Sequence, residues 1–142
     1  MSLWSRLKTL LSRAPTSEHL RRGQLGEHKA RAYLEHHGLI FLTANFQSRH
    51  GEIDLILRDH DCLAFVEVKT RSHEEWTRPA MAVDLKRQRR LSRAALDYLR
   101  QIHNPKVKFR FDIVEVLLRD GAVREIRHLP NAFPLAAPYR YR

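Results

Sequence analysis

The stretch HGEIDLILRDHDCLAFVEVKTR, residues 50–71, decides the fold of this chain. It contains two apolar segments on either side of a polar turn, a pattern typical of two paired β-strands. Strands are depleted in Asp, Glu and Lys. Glu52 and Asp54 nevertheless interrupt the first segment, and Glu67 and Lys69 interrupt the second. Charged side chains in the most strand-like part of the sequence indicate a functional site.

Alternation of side chains along the two strands brings the charged residues onto common faces. Glu52 and Asp54 share one face of the first strand, and Glu67 and Lys69 share one face of the second. The opposite faces are expected to carry the apolar residues Ile53, Leu55 and Leu57 in the first strand and Val66 and Val68 in the second.

A turn centred between residues 60 and 61 fixes the register of the two strands. Antiparallel pairing then sets residue 55 against residue 66 and Asp54 against Glu67, and cross-strand partners point to the same face. Asp54 and Glu67 therefore converge, with Lys69 farther along the second strand. Two carboxylates at close range raise each other's pKa unless a cation lies between them. The alternative is a surface hairpin in which Glu67 and Lys69 form an ordinary exposed ion pair.

The ligand atoms offered by Asp54 and Glu67 are hard carboxylate oxygens, which suit Mg²⁺ or Mn²⁺ rather than zinc or copper. Such an ion activates water and neutralises charge that develops on a phosphate. A lysine alongside, Lys69, supplies a positive charge that orients the water or stabilises the transition state. The three residues together predict metal-dependent hydrolysis of phosphodiester bonds.

A helical segment from Thr16 or Ser17 to residue 37 adds a third carboxylate. Gly38 follows it, in the position favoured just past a helix end. Glu27 lies among small and apolar residues at spacings of three and four. An unpaired carboxylate in such a stripe would be costly, so Glu27 needs a metal, a cation or a water-filled site nearby. The rest of the stripe comprises Gly23, Gly26, Ala30, Leu34 and His37.

The composition describes one basic, folded domain. The 142 residues are 43% apolar and 30% charged, which suits a single core. Lys and Arg outnumber Asp and Glu by 26 to 16, and the net charge of +10 favours nucleic acid or an anionic membrane surface as partner. No apolar run approaches the roughly 20 residues of a transmembrane helix. The single cysteine, Cys62, excludes an intrachain disulfide, and we expect a cytoplasmic protein.

The remaining segments alternate between helix and strand. The order helix, three strands, helix, strands predicts an α/β three-layer sandwich with a mixed central β-sheet flanked by helices. We divide the chain into an N-terminal amphipathic extension (1–15), a domain (16–130) and a C-terminal tail (131–142) expected to be coil. The extension is either a packed terminal helix or a segment that docks on a partner or membrane. The further elements are strands at 39–46, 108–118 and 122–129, a turn at Asp120-Gly121 and a helix at 84–103.

GEIDLI followed by FVEVKTR resembles the nuclease motif PD-(D/E)xK of restriction-endonuclease-like proteins and archaeal Holliday-junction resolvases. The wider pattern is similar to the bacterial YraN family, to which endonuclease activity is attributed by inference. The resemblance extends over residues 23–118 and includes GQLGEHKARAYLEHHG, NFQSRHGEIDLILRD, LAFVEVKTR, AVDLKRQRRLSRAALDYL and FRFDIVEV.

This resemblance implies a restriction-endonuclease-like fold and a role for each residue of the motif. Asp54 and Glu67 would bind Mg²⁺ or Mn²⁺, with the backbone carbonyl of Val68 as a further ligand. Lys69 would be the catalytic lysine, and Glu27 corresponds to the helical glutamate near the metal site of resolvase-like members. Ile53 precedes Asp54, at the position where the motif's name has proline. This difference removes no ligand.

Basic side chains around the motif predict a track for the phosphates of DNA. Lys86 and Gln88 are expected to reach the site because related nucleases carry a polar residue there. Trp76 would either stack on a base or cover the core. The track comprises Arg49 and Arg71 beside the strands and Lys86, Arg87, Arg89, Arg90 and Arg93 on the following helix, where solvated helix charge is the alternative.

The expected function is an endonuclease that acts on DNA, including branched or recombination-intermediate DNA. The alternative is a non-catalytic nucleic-acid-binding module on the same scaffold. A homodimer would suit symmetric cleavage, which the sequence does not establish.

Overall fold

A computed structural model describes residues 18–72 and 83–141 of the chain. The predicted extension at 1–15 and Trp76 lie outside these ranges. Within them the elements follow in the order α1 (Glu18–His36), β1 (Ile40–Ser48), β2 (Gly51–Asp59), β3 (Cys62–Arg71), α2 (Leu85–Gln101), β4 (Lys108–Arg119) and β5 (Ala122–Phe133).

The strands form one sheet in the order β1-β2-β3-β4-β5. β3 and β4 are parallel, because α2 lies in the connection between them and carries the chain back across the sheet. The other neighbouring strands are antiparallel. The predicted mixed sheet and α/β sandwich are therefore confirmed.

Each face of the sheet has its own apolar core, which makes the three layers. On one face, Ala30 and Leu34 of α1 pack against the middle of the sheet. On the other face α2 packs against a cluster that includes Phe65. The predicted inner stripe of α2 is buried there, and it comprises Leu91, Ala94, Ala95, Tyr98 and Ile102.

The predicted grouping of Ile53 with Leu55 and Leu57 on one face of β2 is wrong. Ile53 belongs to the core under α2, whereas Leu55 and Leu57 belong to the core under α1. The reason lies opposite on β1, where Asn45 has a left-handed φ of 53° and the ladder skips Asn45 and Asp54. The irregular backbone at this point turns Ile53 to the face opposite Leu55 and Leu57, although strict alternation would place all three on one face.

The coil expected after Pro130 is also wrong in part, since β5 continues to Phe133. Pro130 is tolerated because β5 is an edge strand, whose ladder is complete on one side only. The turn between β4 and β5 lies at Asp120 and Gly121 as predicted, with φ values of 54° and 77°. Among the helices of the described residues, none has the length and apolar character needed to cross a membrane.

Candidate functional site

The β2–β3 hairpin brings Asp54 and Glu67 together in the predicted register. Leu55 pairs with Val66, and Asp59 pairs with Cys62 across the turn. Beyond the last regular pair, the backbone N–H of Val68 donates to Oδ2 of Asp54 at 2.8 Å. The negative charge of Glu67 acts on the carboxyl group of Asp54 at this point. The two acids therefore form one site at the end of the hairpin ladder.

Burial dominates the electrostatics of this pair. Only 3% of the Glu67 side chain is exposed. Burial, and next the negative charge of Glu67, raise the pKa of Asp54 well above its ordinary value. The hydrogen bond from the Val68 N–H acts in the opposite direction without reversing the shift. A carboxyl group with a raised pKa beside a second carboxylate is an arrangement that an added cation would stabilise.

Arg87 of α2 already supplies one positive charge to the site. Its Nε donates to Oε2 of Glu67 at 2.8 Å, and its Nη2 donates to Oε1 at 2.9 Å. Arg87 reaches Glu67 from the first turn of α2, which begins after the N-cap Asp84. The guanidinium is thus the ion-pair partner of Glu67.

Glu27 approaches the same end of the sheet from α1. With the Asn45 amide turned so that both of its groups have partners, its Nδ2 donates to Oε1 of Glu27 at 2.8 Å and to Oε1 of Glu52 at 3.0 Å. Burial, and next the charge of Glu52, raise the pKa of Glu27 to about 7. The charge of Glu67 adds to this shift. Glu27 therefore belongs electrostatically to the site, and its hydrogen-bond partner is the neutral amide of Asn45 rather than one of the expected partners.

Lys69 lies on β3 two positions beyond Glu67 and is half-buried. Burial lowers the pKa of its ammonium group, although the charge of Glu67 acts in the other direction. Its neighbour on β4 is Glu115, a buried acid whose Oε1 has no hydrogen-bond partner within the described ranges. Arg127 of β5 lies 4.0 Å from that oxygen. Charged side chains thus continue across the sheet from β3 to β5.

A cleft of about 250 Å³ opens beside the acids. Arg90, one of the predicted nucleic-acid-binding residues, contributes to its wall together with Arg87. The cleft is therefore lined by acidic groups of β2 and by two arginines of α2. Its lining consists of Gly51, Glu52, Asp54, Arg87, Arg90 and Leu91.

The other predicted phosphate contacts are more dispersed. Arg49 lines a separate groove of about 470 Å³ beside the β1–β2 turn. Lys86 and Arg89 are exposed on α2, and the charge of Arg71 at the end of β3 contributes to the lowered pKa of Lys69. Gln88 donates from Nε2 to the carbonyl of Val83 at 3.2 Å, so in this structure it binds the start of its own helix.

The donor chemistry at Asp54 and Glu67 fits a hard divalent cation. Both offer carboxylate oxygens. Burial holds the pKa of Asp54 above its ordinary value, and an added cation would favour the ionised form of this carboxyl group. Within residues 18–72 and 83–141, however, no three His, Cys, Asp or Glu side chains stand together as a ready cage for a metal. Metal binding at Glu67 would have to replace or share the contact with Arg87.

Sequence reasoning missed three features of this site. Arg87 stands in a run of basic residues, and the run does not show which of them faces β3. Asn45 lies in an apolar strand, where the only available signal was the tolerance of asparagine for left-handed backbone. Glu115 interrupts the apolar strand β4 as Glu67 interrupts β3, and this was the signal that could have found it.

Comparison with known proteins finds a matching family model and several similar proteins. The model of Uncharacterised protein family UPF0102 matches residues 26–116, a range that includes every acid of the site. A UPF0102 protein of Trichlorobacter lovleyi is 43% identical over 115 residues, 80% of this chain and 91% of that protein. One of Syntrophus aciditrophicus is 42% identical over 120 residues, 84% and 94% of the two chains. One of Rhodococcus opacus is 39% identical over 111 residues, 78% and 94% of the two chains.

Proposed function

Because this chain belongs to the uncharacterised protein family UPF0102, whose name states no activity, we propose a function from the site itself: a metal-dependent endonuclease that hydrolyses phosphodiester bonds in DNA. Membership agrees with the resemblance to the YraN family. The observation that supports the proposal is the pairing of Asp54 with the buried Glu67 on adjacent strands, with Lys69 next along β3. An unpaired buried charge is costly, so two desolvated acids at one point of a sheet indicate a functional site.

Asp54 and Glu67 would hold the cation, with the backbone carbonyl of Val68 as a further ligand. When bound, Mg²⁺ or Mn²⁺ would lower the pKa of a coordinated water and neutralise charge on the phosphate. The N–H of Val68 fixes the orientation of the Asp54 carboxylate before any cation arrives. Such pre-orientation by neighbouring hydrogen bonds is a general feature of metal ligands.

Lys69 would orient the attacking water or stabilise the negative charge that develops on the phosphate. Its half-buried position supports this role, because a charge acts more strongly where water is partly excluded. Burial also lowers the pKa of Lys69. Glu27 would contribute to the site from α1, through its contact with the amide of Asn45.

DNA is the proposed substrate because of charge. The chain carries a net charge of +10, and two arginines of α2 line the same cleft as Asp54. The narrower proposal, branched or recombination-intermediate DNA, rests on the resemblance of the motif to that of Holliday-junction resolvases.

A cleavage assay tests the proposal. Purified protein is incubated with flaps, four-way junctions, duplex and single strands, with Mg²⁺, with Mn²⁺ and with chelator. Glu67→Gln is the matched control, because it removes the charge and nearly preserves the shape of the side chain. We expect cleavage of at least one substrate by the wild type with metal only, and none by the variant. Cleavage that survives in Glu67→Gln would contradict the assignment of the site.

A non-catalytic nucleic-acid-binding module is the second candidate. The observation that favours it is the contact of Arg87 with both oxygens of Glu67, which fills the site without a metal. Binding of all four substrates with cleavage of none, across both metals, would support this candidate.

Both candidates predict a strong salt dependence of DNA binding. Each phosphate contact releases counter-ions, so the logarithm of the affinity falls linearly with the logarithm of the salt concentration. Fluorescence anisotropy with a labelled duplex measures this slope. A flat dependence would argue against a footprint of several phosphates and against DNA as the partner.

A further inference from the structure

Arg87 occupies the carboxylate that the proposed metal ion would need. Its guanidinium holds Oε2 and Oε1 of Glu67 at 2.8 and 2.9 Å, a bidentate pair of the strongest kind for these groups. A divalent cation on the same oxygens would lie within a few ångströms of the guanidinium. Because like charges repel strongly where water is partly excluded, the two cations would compete for Glu67.

The two partners of this ion pair differ in their access to water. Glu67 is 3% exposed and Arg87 is 42% exposed. Removing the cation from a buried carboxylate is costly, whereas a long, half-exposed arginine can turn into solvent and keep its charge hydrated. Glu67 is therefore more stable with a cation beside it, and Arg87 is a partner that is able to leave.

The position of Arg87 determines what it can contact after leaving. Its backbone N–H donates to Oδ1 of Asp84 at 2.8 Å, so the start of α2 is held in place while the side chain moves. Arg87 and Arg90 line the same cleft as Asp54. A phosphate in that cleft would offer two oxygens in the geometry that a guanidinium binds best.

We infer that Arg87 is an exchangeable counter-ion: it stabilises Glu67 in the absence of metal, and it moves onto a DNA phosphate when a divalent cation takes its place. This inference rests on the proposed function. It gives the site a coupling between its two ligands, because DNA that draws Arg87 away from Glu67 strengthens metal binding. By thermodynamic linkage, metal strengthens DNA binding by the same factor.

Calorimetry with Mn²⁺, without DNA, tests the exchange independently of cleavage. We expect Arg87→Gln to bind Mn²⁺ about tenfold more tightly than the wild type, since no hydrogen-bonded cation has to be displaced. Arg93→Gln is the matched control. It removes the same charge from an exposed position of α2, and we expect it to change the Mn²⁺ affinity by less than about twofold.

Thermal melts measure how much Arg87 stabilises the protein in the absence of metal. Arg87→Gln should melt at a lower temperature than the wild type without metal and show a larger rise on addition of Mn²⁺. If Arg87→Gln does not fold, Arg87→Lys provides the test, because it keeps the charge without the fork and should bind Mn²⁺ several-fold more tightly. DNA affinity measured with Ca²⁺ should rise more in the wild type than in either variant.

The possible failures are distinguishable. Absence of Mn²⁺ binding in the wild type and in the variants would contradict the proposed function as well as the exchange. If the wild type binds Mn²⁺ and a folded Arg87→Gln or Arg87→Lys protein binds it equally well or more weakly, the exchange alone would be overturned. Such a result would show that Arg87 is a structural tie between α2 and β3. An equal effect of Ca²⁺ on DNA affinity in wild type and variant would contradict the movement of Arg87 onto phosphate.

Discussion

Oδ2 of Asp54 accepts a hydrogen bond of 2.8 Å from the backbone N–H of Val68, the residue that follows Glu67 on the neighbouring strand. This bond forms where the regular β2–β3 ladder has ended at Leu55 and Val66. The side chain of Asp54 thus takes the place of a backbone acceptor, and the strand that carries Glu67 also orients Asp54. The geometry of the site follows from the end of the hairpin rather than from its turn.

Replacement of Lys69 by alanine should separate turnover from metal binding. The variant loses a charge that acts on the reacting phosphate and keeps both acids, so we expect Mn²⁺ affinity to remain and turnover to fall on the order of 10²-fold. Calorimetry and the cleavage assay measure the two quantities. Lys106→Ala, which removes an exposed lysine before β4, is the control. Equal losses of metal affinity and turnover in Lys69→Ala would contradict the assigned role.

Glu27 should make apo stability depend on pH. Its pKa rises from an ordinary 4.5 to about 7 on folding, so the folded state binds its proton more tightly than the unfolded state does. Ionisation of Glu27 therefore lowers the free energy of unfolding as the pH rises from about 4.5 to about 7. Glu27→Gln should gain stability relative to the wild type from about pH 4.5 to about pH 7, with no further gain above. Urea unfolding measures the difference, and a difference independent of pH would contradict the burial of Glu27.

The sequence predicted the β2–β3 register because a polar turn and two apolar segments leave one antiparallel pairing. It did not predict the crossing of Ile53 to the other core, because that depends on the left-handed backbone of Asn45. Nor could it single out Arg87, because five consecutive polar residues, KRQRR, give α2 no local sign of which side chain meets Glu67. The packing of α2 on the sheet decides which of these side chains meets Glu67. Helical periodicity predicts which face of α2 is buried, but not which residue makes this contact.

Gly26 allows α1 to approach β3 next to the site. A Cβ at this position would overlap Oγ1 of Thr70 and lie 3.3 Å from its Cβ. Gly26→Ala should therefore lower the free energy of unfolding by about 1–3 kcal/mol despite the better helix propensity of alanine. Addition of Thr70→Ala should restore part of the loss, as a double-mutant cycle would measure.

Gly23→Ala is the matched control for that pair. A Cβ there meets no atom of the described residues within 4 Å, and Gly23 lies inside the same helix. We expect it to raise the free energy of unfolding by about 0.5–1 kcal/mol. A destabilisation of the same size in both variants would show that close packing at Thr70 is not the cause.

Asp112 should matter for folding and not for metal binding. It is fully buried and accepts hydrogen bonds from Arg110 at 2.9 Å and from the Asn131 N–H at 2.9 Å, with Nε2 of His128 at 2.8 Å. Alternation on β4 places it on the α1 face of the sheet, away from Glu67. Asp112→Asn should cost about 3–5 kcal/mol, the scale for breaking a buried ion pair. Mn²⁺ affinity measured on the remaining folded protein should not change. A changed affinity would show that the metal site depends on residues of the opposite face of the sheet.

The Mn²⁺ affinity of Asp54→Asn, measured by calorimetry together with a thermal melt, tests the central claim most directly. The substitution removes one charged oxygen ligand, keeps an acceptor for the Val68 N–H and relieves the repulsion with Glu67. We therefore expect a folded protein whose melting temperature without metal equals or exceeds that of the wild type, and whose Mn²⁺ binding is lost or strongly weakened. Unchanged Mn²⁺ affinity in a folded Asp54→Asn protein would contradict the assignment of these strand acids as a metal site.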